Sequence, residues 1–296
     1  MKSVKNDILL KHLLFAILFG FLTQSTLLAQ SQKFVLKNTE IVQLKNELTA
    51  RDHEIIIFLP DSYNDSIDKK YPVFYFLDGY WHMPLLYSIH QSLVYDNVIP
   101  ELIMVGLSYP GENANYDSLR MLDLTPTKWE VSPNTGDGPN FLNFIEQSVI
   151  PHIESNYRAD NQQRALGGQS AGGLFSLYAM YEKPNLFKRH IAISPASWGD
   201  YLQRKNIDYS TAHKQLVEQL FISASSDEPN WFRDPIITLQ KQIEDNKYEN
   251  LSLLNVIIKG ERHSGGAAEG YNRGLRWIFK DITPPGPSGL VKAFGE

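Results

Sequence analysis

The stretch from Gly167 to Gly173 constrains this chain more than any other part of its sequence. It reads Gly-Gly-Gln-Ser-Ala-Gly-Gly, with a short apolar segment before it and an apolar helical segment from Leu174 after it. A strand, a tight turn that carries serine and a helix form the context in which G-x-S-x-G exposes a strained serine hydroxyl. Glycine at positions 168 and 172 removes side chains that would collide with the flanking strand and helix. The pattern predicts Ser170 as a nucleophile at the end of a buried strand.

Short apolar runs alternate with helical patterns along the chain. Strands that alternate with helices predict an α/β fold with a mainly parallel central sheet and helices on both faces. A long polar loop is predicted over Gly111–Gly138. Besides the strand before Ser170 and the helix after it, the predicted strands are Ile41–Leu48, His53–Leu59, Val73–Leu77, Leu102–Leu107, His190–Ser194, Leu220–Ala224 and Leu251–Ile258, and the predicted helices are Leu85–Asn97, Phe141–Tyr157, Pro235–Lys247 and Gly270–Lys280.

Residues 1–29 have the pattern of a secretory signal peptide. Three lysines precede the apolar run Leu13–Leu22, and a polar segment then leads to Ala29. An apolar run of about ten residues is too short to span a bilayer, so we expect cleavage after Ala29 without stable membrane insertion, with an uncleaved anchor as the alternative. The predicted organisation is a signal peptide (1–29), an α/β domain (30–282) and a Pro/Gly-rich extended tail (283–296) in a periplasmic or secreted protein.

The composition excludes several classes of function. The chain has 33 acidic and 28 Lys or Arg residues, a net charge of −5, which gives no support for nucleic-acid binding. It contains no cysteine, so disulfides and thiolate metal sites are excluded. We expect neither a metal nor an organic cofactor, and the composition does not indicate an oligomeric state.

The partners that a serine nucleophile needs follow later in the chain. A serine hydroxyl requires a histidine base and a carboxylate that orients it, in the chain order serine, acid, histidine. Asp227 and Glu228 follow the predicted strand Leu220–Ala224, and His263 follows the predicted strand Leu251–Ile258. The carboxyl ends of parallel strands meet at one edge of the sheet, where ligands bind. The spacing therefore predicts His263 as the base and leaves both Glu228 and Asp227 open as the acid.

Two backbone N–H groups are predicted to form the oxyanion hole. One belongs to the residue after the nucleophile, Ala171, and the second comes from the loop that follows an early buried strand. Asp78 and Gly79 directly follow the predicted strand Val73–Leu77, so the N–H of Tyr80 is the second candidate donor.

Several motifs together resemble the putative-esterase family of α/β-hydrolases over roughly residues 40 to 280. This family includes siderophore, feruloyl and acetyl-xylan esterases, S-formylglutathione hydrolase and mycolyltransferases. The R-x-x-D-x-T-P run and the Leu-Asp-Gly ending are most similar to the siderophore-esterase branch. The motifs are Tyr71–Val73, Leu77–Gly79, Gly106–Pro110, Arg120–Pro126, Gly168–Gly173 and Ile193–Pro195.

The resemblance implies an α/β-hydrolase fold in which Ser170 and His263 are catalytic. The siderophore-esterase branch has a Glu-Pro pair after the corresponding strand, as Glu228 and Pro229 stand here, which favours Glu228 over Asp227. The implied activity is a serine carboxylic-ester hydrolase that works through an acyl-enzyme. Its substrate would be a siderophore lactone, or a feruloyl or acetyl ester linked to polysaccharide. The alternatives are an inactive binding protein of the same fold and an acyltransferase.

Further residues are candidates for substrate binding. Trp198 and Tyr201 resemble the aromatic wall beside the family's nucleophile, and Trp81 with Tyr80 would form a facing wall, unless these rings only pack beneath the loops. Arg120 is either a ligand for a substrate anion or a structural partner of Asp123, three positions later.

Overall fold

The computed structural model describes residues 34–111, 114–130, 132–197 and 200–295 of the chain. The signal peptide predicted over residues 1–29 and the predicted substrate residue Trp198 lie outside this part. In the segments that are described, no helix is long and apolar enough to cross a membrane.

Within the described residues, eight strands form one sheet in the order β1–β2–β4–β3–β5–β6–β7–β8. β2 runs antiparallel to both of its neighbours, β1 and β4, and all other neighbouring pairs are parallel. The predicted α/β class with a mainly parallel sheet is therefore confirmed. The strands are β1 (Thr39–Asn46), β2 (Arg51–Phe58), β3 (Tyr71–Phe76), β4 (Ile103–Ser108), β5 (Ala159–Gln169), β6 (Arg189–Ile193), β7 (Gln219–Ser225) and β8 (Ser252–Ile258).

Helices cover both faces of this sheet. A π turn, Ile145–Val149, joins α3 to α4, and Pro151 lies in the first turn of α4, where proline is tolerated, so one helical path covers most of the predicted helix Phe141–Tyr157. The helices of the described segments are α1 (Gly79–Tyr95), α2 (Tyr116–Leu124), α3 (Gly138–Phe144), α4 (Ile150–Asn156), α5 (Ala171–Glu182), α6 (Tyr201–Ala212), α7 (Asn230–Asn246), α8 (Gly266–Ile278) and α9 (Gly289–Phe294).

Three helices differ from the sequence-based expectation. α2 lies within the segment predicted as a long loop, α6 was not predicted, and α9 lies in the tail predicted to be extended. α2 buries only Asp123 and Leu124, and the described residues of α9 are all at least partly exposed. These two helices have 9 and 6 residues, which is shorter than the windows of about 11 to 18 residues over which helical periodicity is recognised in a sequence.

The side chains of the central strands alternate between two apolar cores. Tyr75 packs on the face covered by α3, α4 and α5, where its ring meets Phe187 edge to face with centroids 5.7 Å apart. Phe74 and Phe76 point to the opposite face, which α1 and α8 cover through residues such as Tyr271. With both faces buried, the turns after β3, β5, β7 and β8 are left at the carboxyl edge of the sheet. All the predicted catalytic residues lie on these turns.

Candidate active site

Ser170 lies on a sharp turn between β5 and α5. Its backbone has φ 58° and ψ −119°, a conformation that L-residues with a side chain rarely adopt, and its N–H donates to the Ile193 carbonyl at 2.9 Å. A Cβ atom on Gly168 would lie only 2.4 Å from the carbonyl carbon of Gly172. The turn is therefore possible only with glycine at position 168, and it holds the serine in a strained position at the end of the strand.

Glu228 and His263 form a close pair across two neighbouring turns. The Glu228 side chain is fully buried, and its Oε1 lies 2.7 Å from His263 Nδ1. Its Oε2 accepts the N–H of Ser225 at 2.9 Å, which holds the carboxylate in place. Asp227 is exposed and accepts instead from the Ser226 hydroxyl at 2.7 Å. The structure thus brings Glu228, and not Asp227, against the histidine.

The contact of His263 with Glu228 uses only one nitrogen of the imidazole ring, Nδ1. Because a carboxylate only accepts, the contact with Glu228 places a proton on Nδ1 and leaves Nε2 as the basic nitrogen. The Phe232 ring meets the imidazole edge to face, with centroids 4.9 Å apart. His263 and Ser170 line the same cavity of about 780 Å³, and the histidine side chain is 39% exposed.

The two predicted oxyanion donors lie at helix N-termini. Tyr80 lines the cavity, whereas Ala171 is buried directly after Ser170. Ala171 is the first residue of α5 and Tyr80 the second residue of α1, so neither N–H has an acceptor within its own helix. The partial positive charge of a helix N-terminus stabilises a negative charge placed there. Asp78, which precedes α1, has φ 58° in the left-handed region, and this conformation turns the chain from β3 into α1.

Arg120 pairs with Asp78, so the predicted structural pairing with Asp123 is wrong. Its Nε and Nη2 donate to the two oxygens of Asp78, each at 2.8 Å. Burial alone lowers the pKa of Arg120, but the hydrogen bonds and charge of Asp78 more than reverse this and raise it, so the guanidinium stays charged. Asp123 instead contacts His53 and Arg51, which reach it from β2. Pairs this far apart in the chain cannot be read from local spacing.

Of the predicted wall residues, Trp81 and Tyr80 line the cavity. Trp81 is 74% exposed, and the Tyr80 hydroxyl donates to Glu54 on β2. Several lining residues were missed by the sequence analysis, among them His82 and Gln169, although Gln169 immediately precedes the predicted nucleophile. In the part of the chain that the structure describes, no group of three or more His, Asp or Glu side chains is arranged to hold a metal ion.

A family model described as Putative esterase matches residues 46–253. The chain belongs to this family. It is 29% identical over 194 residues to ferri-bacillibactin esterase BesA of Bacillus subtilis, an alignment that covers 60% of this chain and 66% of that protein. It is 26% identical over 209 residues to the siderophore triacetylfusarinine C esterase of Aspergillus fumigatus, covering 60% of this chain and 71% of that one. The alignment with the bacterial relative thus spans slightly less than two thirds of that protein.

Solved structures agree with this family assignment. The BES protein from Bacillus cereus superposes with a TM-score of 0.76 at 26% identity, over 84% of this chain and 98% of that one. An IroE-like serine hydrolase from Shewanella oneidensis superposes with a TM-score of 0.73 at 26% identity, over 83% and 82% of the two chains. The α/β-hydrolase fold and the family predicted from sequence are confirmed, and the relatives support carboxylic-ester hydrolysis as the class of activity.

Proposed function

We propose that the protein is a serine esterase in which Ser170 attacks an ester carbonyl and forms an acyl-enzyme. The observation that carries the proposal is the 2.7 Å contact between His263 and Glu228 at the cavity that Ser170 also lines. A base held by a buried carboxylate, beside a serine on a strained turn, is the arrangement that activates a hydroxyl for acyl transfer.

The proposed reaction proceeds in two balanced steps. His263 Nε2 takes the Ser170 proton as Oγ bonds to the ester carbon, and it returns that proton to the departing alcohol as the ester bond breaks. Water then adds to the acyl-enzyme in the same way, which releases the acid and restores the serine hydroxyl. The N–H groups of Ala171 and Tyr80 stabilise the oxyanion in both steps, each contributing about 3 kcal/mol.

The substrate that we propose first is a siderophore lactone, because both named relatives are siderophore esterases. Feruloyl and acetyl esters of polysaccharides are the alternatives. Trp81 offers an aromatic face at the cavity mouth, and Trp198 is proposed as a second wall on the family resemblance alone. Among the lining residues that are described, the Arg120 charge is matched by Asp78, while Asp117 adds a further carboxylate. This balance favours an uncharged ester over a strongly anionic one.

Replacing the nucleophile tests the proposal. We expect Ser170→Ala to lower kcat/KM about 10⁴-fold or more on p-nitrophenyl acetate and on an iron-free trilactone siderophore. Ser88→Ala, which removes an exposed hydroxyl from α1, is the matched control and should retain wild-type rates. Mass spectrometry after treatment with a fluorophosphonate should find the label on Ser170. Full activity in Ser170→Ala would refute the mechanism.

Export is also a proposal, and it rests on residues 1–29 of the sequence. Expression of the full chain in a bacterial host, followed by N-terminal sequencing of the periplasmic or secreted protein, tests it. We expect the mature chain to begin at Gln30. A full-length chain in the membrane fraction would favour the uncleaved anchor.

A further inference from the structure

Gln169, the residue before the nucleophile, makes a contact that the proposed reaction does not yet use. It is the last residue of β5 and is buried, and its side-chain nitrogen donates to the main-chain carbonyl of His263. The two residues are 94 positions apart and line the same cavity. This hydrogen bond directly connects the turn that carries the serine to the turn that carries the histidine.

The histidine turn is held mainly from the β7 side by its other contacts. The Asp227 N–H donates to the Glu261 carbonyl at 3.0 Å, and the Gly260 N–H donates to the Ser226 hydroxyl at 2.8 Å. The imidazole is itself bound to Glu228, also on the β7 side. Gln169 supplies a hydrogen bond from β5, which lies two strands beyond β7 in the sheet and ends at the nucleophile. The histidine turn is thus hydrogen-bonded both to the turn after β7 and to the strand that leads to Ser170.

A second buried residue, His82 on α1, lines the same cavity as Gln169. His82 Nδ1 lies 3.1 Å from both the Leu77 carbonyl and the Tyr271 hydroxyl. Burial, the largest effect, lowers the pKa of His82, although the charge of Asp78 and weaker interactions with the Leu77 carbonyl and Gln169 raise it. Nε2 has no hydrogen-bond partner among the described residues, so the hydrogen bond from the Gln169 amide to the His263 carbonyl stands without support from His82.

We propose that Gln169 is a positioning residue that holds the His263 turn against the serine turn at the separation that proton transfer requires. The His263 carbonyl can only accept, so the amide must present its nitrogen to it, because an amide oxygen in that place would repel the carbonyl. The inference rests on the proposed Ser170–His263 mechanism and adds a residue that acts through the position of the His263 turn.

The first test removes the hydrogen bond while keeping the volume of the side chain. We expect Gln169→Met to lower kcat about ten- to a hundredfold with little change in KM, because displacing a catalytic group by about 1 Å has effects of this size. Gln203→Met is the matched control, since Gln203 is equally buried and its amide donates to the Pro235 carbonyl at 2.8 Å, away from the cavity. The control should retain wild-type kcat. Equal kcat values in the two variants would overturn the inference.

A second variant gives a readout that a purely structural role would not produce. Gln169→Glu keeps the shape of the side chain, but a carboxylate cannot donate to the His263 carbonyl, whereas a protonated carboxyl group can. We therefore expect the kcat of this variant, as a fraction of the wild-type value, to rise severalfold as the pH falls from 8 to 5. A fraction that stays constant with pH would contradict the inference, even if the methionine variant fails to fold.

Ser170→Ala, measured in parallel, separates this inference from the proposed function. Loss of activity in Ser170→Ala, together with wild-type kcat in Gln169→Met, would leave the serine mechanism standing and overturn the positioning role. Retained activity in Ser170→Ala would overturn both. Loss in Ser170→Ala with the expected partial loss in Gln169→Met would support both.

Discussion

Two histidine–carboxylate pairs of similar length lie in opposite environments within the part of the chain that the structure describes. His263 Nδ1 lies 2.7 Å from Glu228, and His53 Nε2 lies 3.0 Å from Asp123. The His263 side chain is 39% exposed at the cavity, whereas the His53 side chain is 1% exposed. The same two functional groups thus meet once at the site and once in the interior.

The interior pair is enclosed by aromatic rings and by further charges. His53 stacks on Phe144 with ring centroids 4.5 Å apart, and Phe141 lies on it at 5.3 Å. Asp123 also binds Arg51, which in turn binds Asp137. This network attaches the start of β2 to the end of α2, and it involves none of the residues that line the Ser170 cavity.

The difference shows that a histidine–carboxylate pair does not make a catalytic site by itself. A catalytic histidine must also present its second nitrogen to a nucleophile beside a space for substrate, which is the role that we propose for His263 at the cavity that Ser170 lines. Where both partners are buried, the pair instead connects two elements of the fold. The following predictions test this distinction.

The largest effect is expected at His263. His263→Ala should lower kcat/KM about 10⁴-fold, because the Ser170 hydroxyl loses its base, while the free energy of unfolding changes little. Activity is measured on p-nitrophenyl acetate and stability by urea denaturation. A loss of kcat/KM of less than tenfold would contradict a catalytic role for His263, and the two histidine–carboxylate pairs would then no longer differ in function.

The next effect separates the two adjacent carboxylates. Glu228→Gln should lower kcat/KM about 10²- to 10⁴-fold, since the amide no longer holds the His263 ring in the reactive tautomer. Asp227→Asn is the matched control on the same turn and should stay within about twofold of wild type. The reverse order of these two values would assign the acid to Asp227.

His53 should show the opposite behaviour from His263. His53→Leu should lower the free energy of unfolding by about 3 kcal/mol, because the buried Asp123 loses one of its partners. The kcat per folded molecule should stay within about threefold of wild type. The urea midpoint and active-site titration measure the two quantities. A fall in kcat that, converted to free energy, exceeds the fall in the free energy of unfolding would contradict the structural role of His53.

The smallest predicted effect concerns how the stability of the fold depends on pH. It comes from His90, a buried histidine without a carboxylate contact. Burial lowers the pKa of His90 to about 4, although the charges of Glu101 and Asp61 raise it by less. The unfolded chain takes up this proton near pH 6.5, whereas the folded chain does so only near pH 4. The contribution of neutral, buried His90 to the free energy of unfolding is therefore fully present above about pH 6.5 and is lost as the pH falls from there to about 4.

His90→Gln should remove about 2 kcal/mol of the stability loss between pH 7 and pH 5. The glutamine oxygen can still accept the Leu102 N–H, which His90 Nε2 accepts at 3.1 Å. His213→Gln, at an exposed position, is the control and should leave the pH dependence unchanged. Urea denaturation at a series of pH values measures the effect. Parallel curves for wild type and His90→Gln would contradict the assignment.

Much of this architecture is visible in the sequence because it depends on local or strongly apolar patterns. The buried strands read as continuous apolar runs, and the Gly168–Gly172 turn depends on backbone geometry within a few residues. α2 and α6 were missed because they bury few apolar side chains. The pairing of Arg120 with Asp123 was wrong because the true partner, Asp78, is 42 positions away.

The sequence by itself determined the fold class, the order of serine, acid and histidine, and the sheet edge at which they meet. These features follow from strand burial and from the rule that parallel strands end on the same side. The tertiary structure decided which of two adjacent carboxylates reaches His263, which charge neutralises Arg120, and that Gln169 joins the two catalytic turns. Those contacts depend on side-chain directions from separate strands, and no local pattern encodes them.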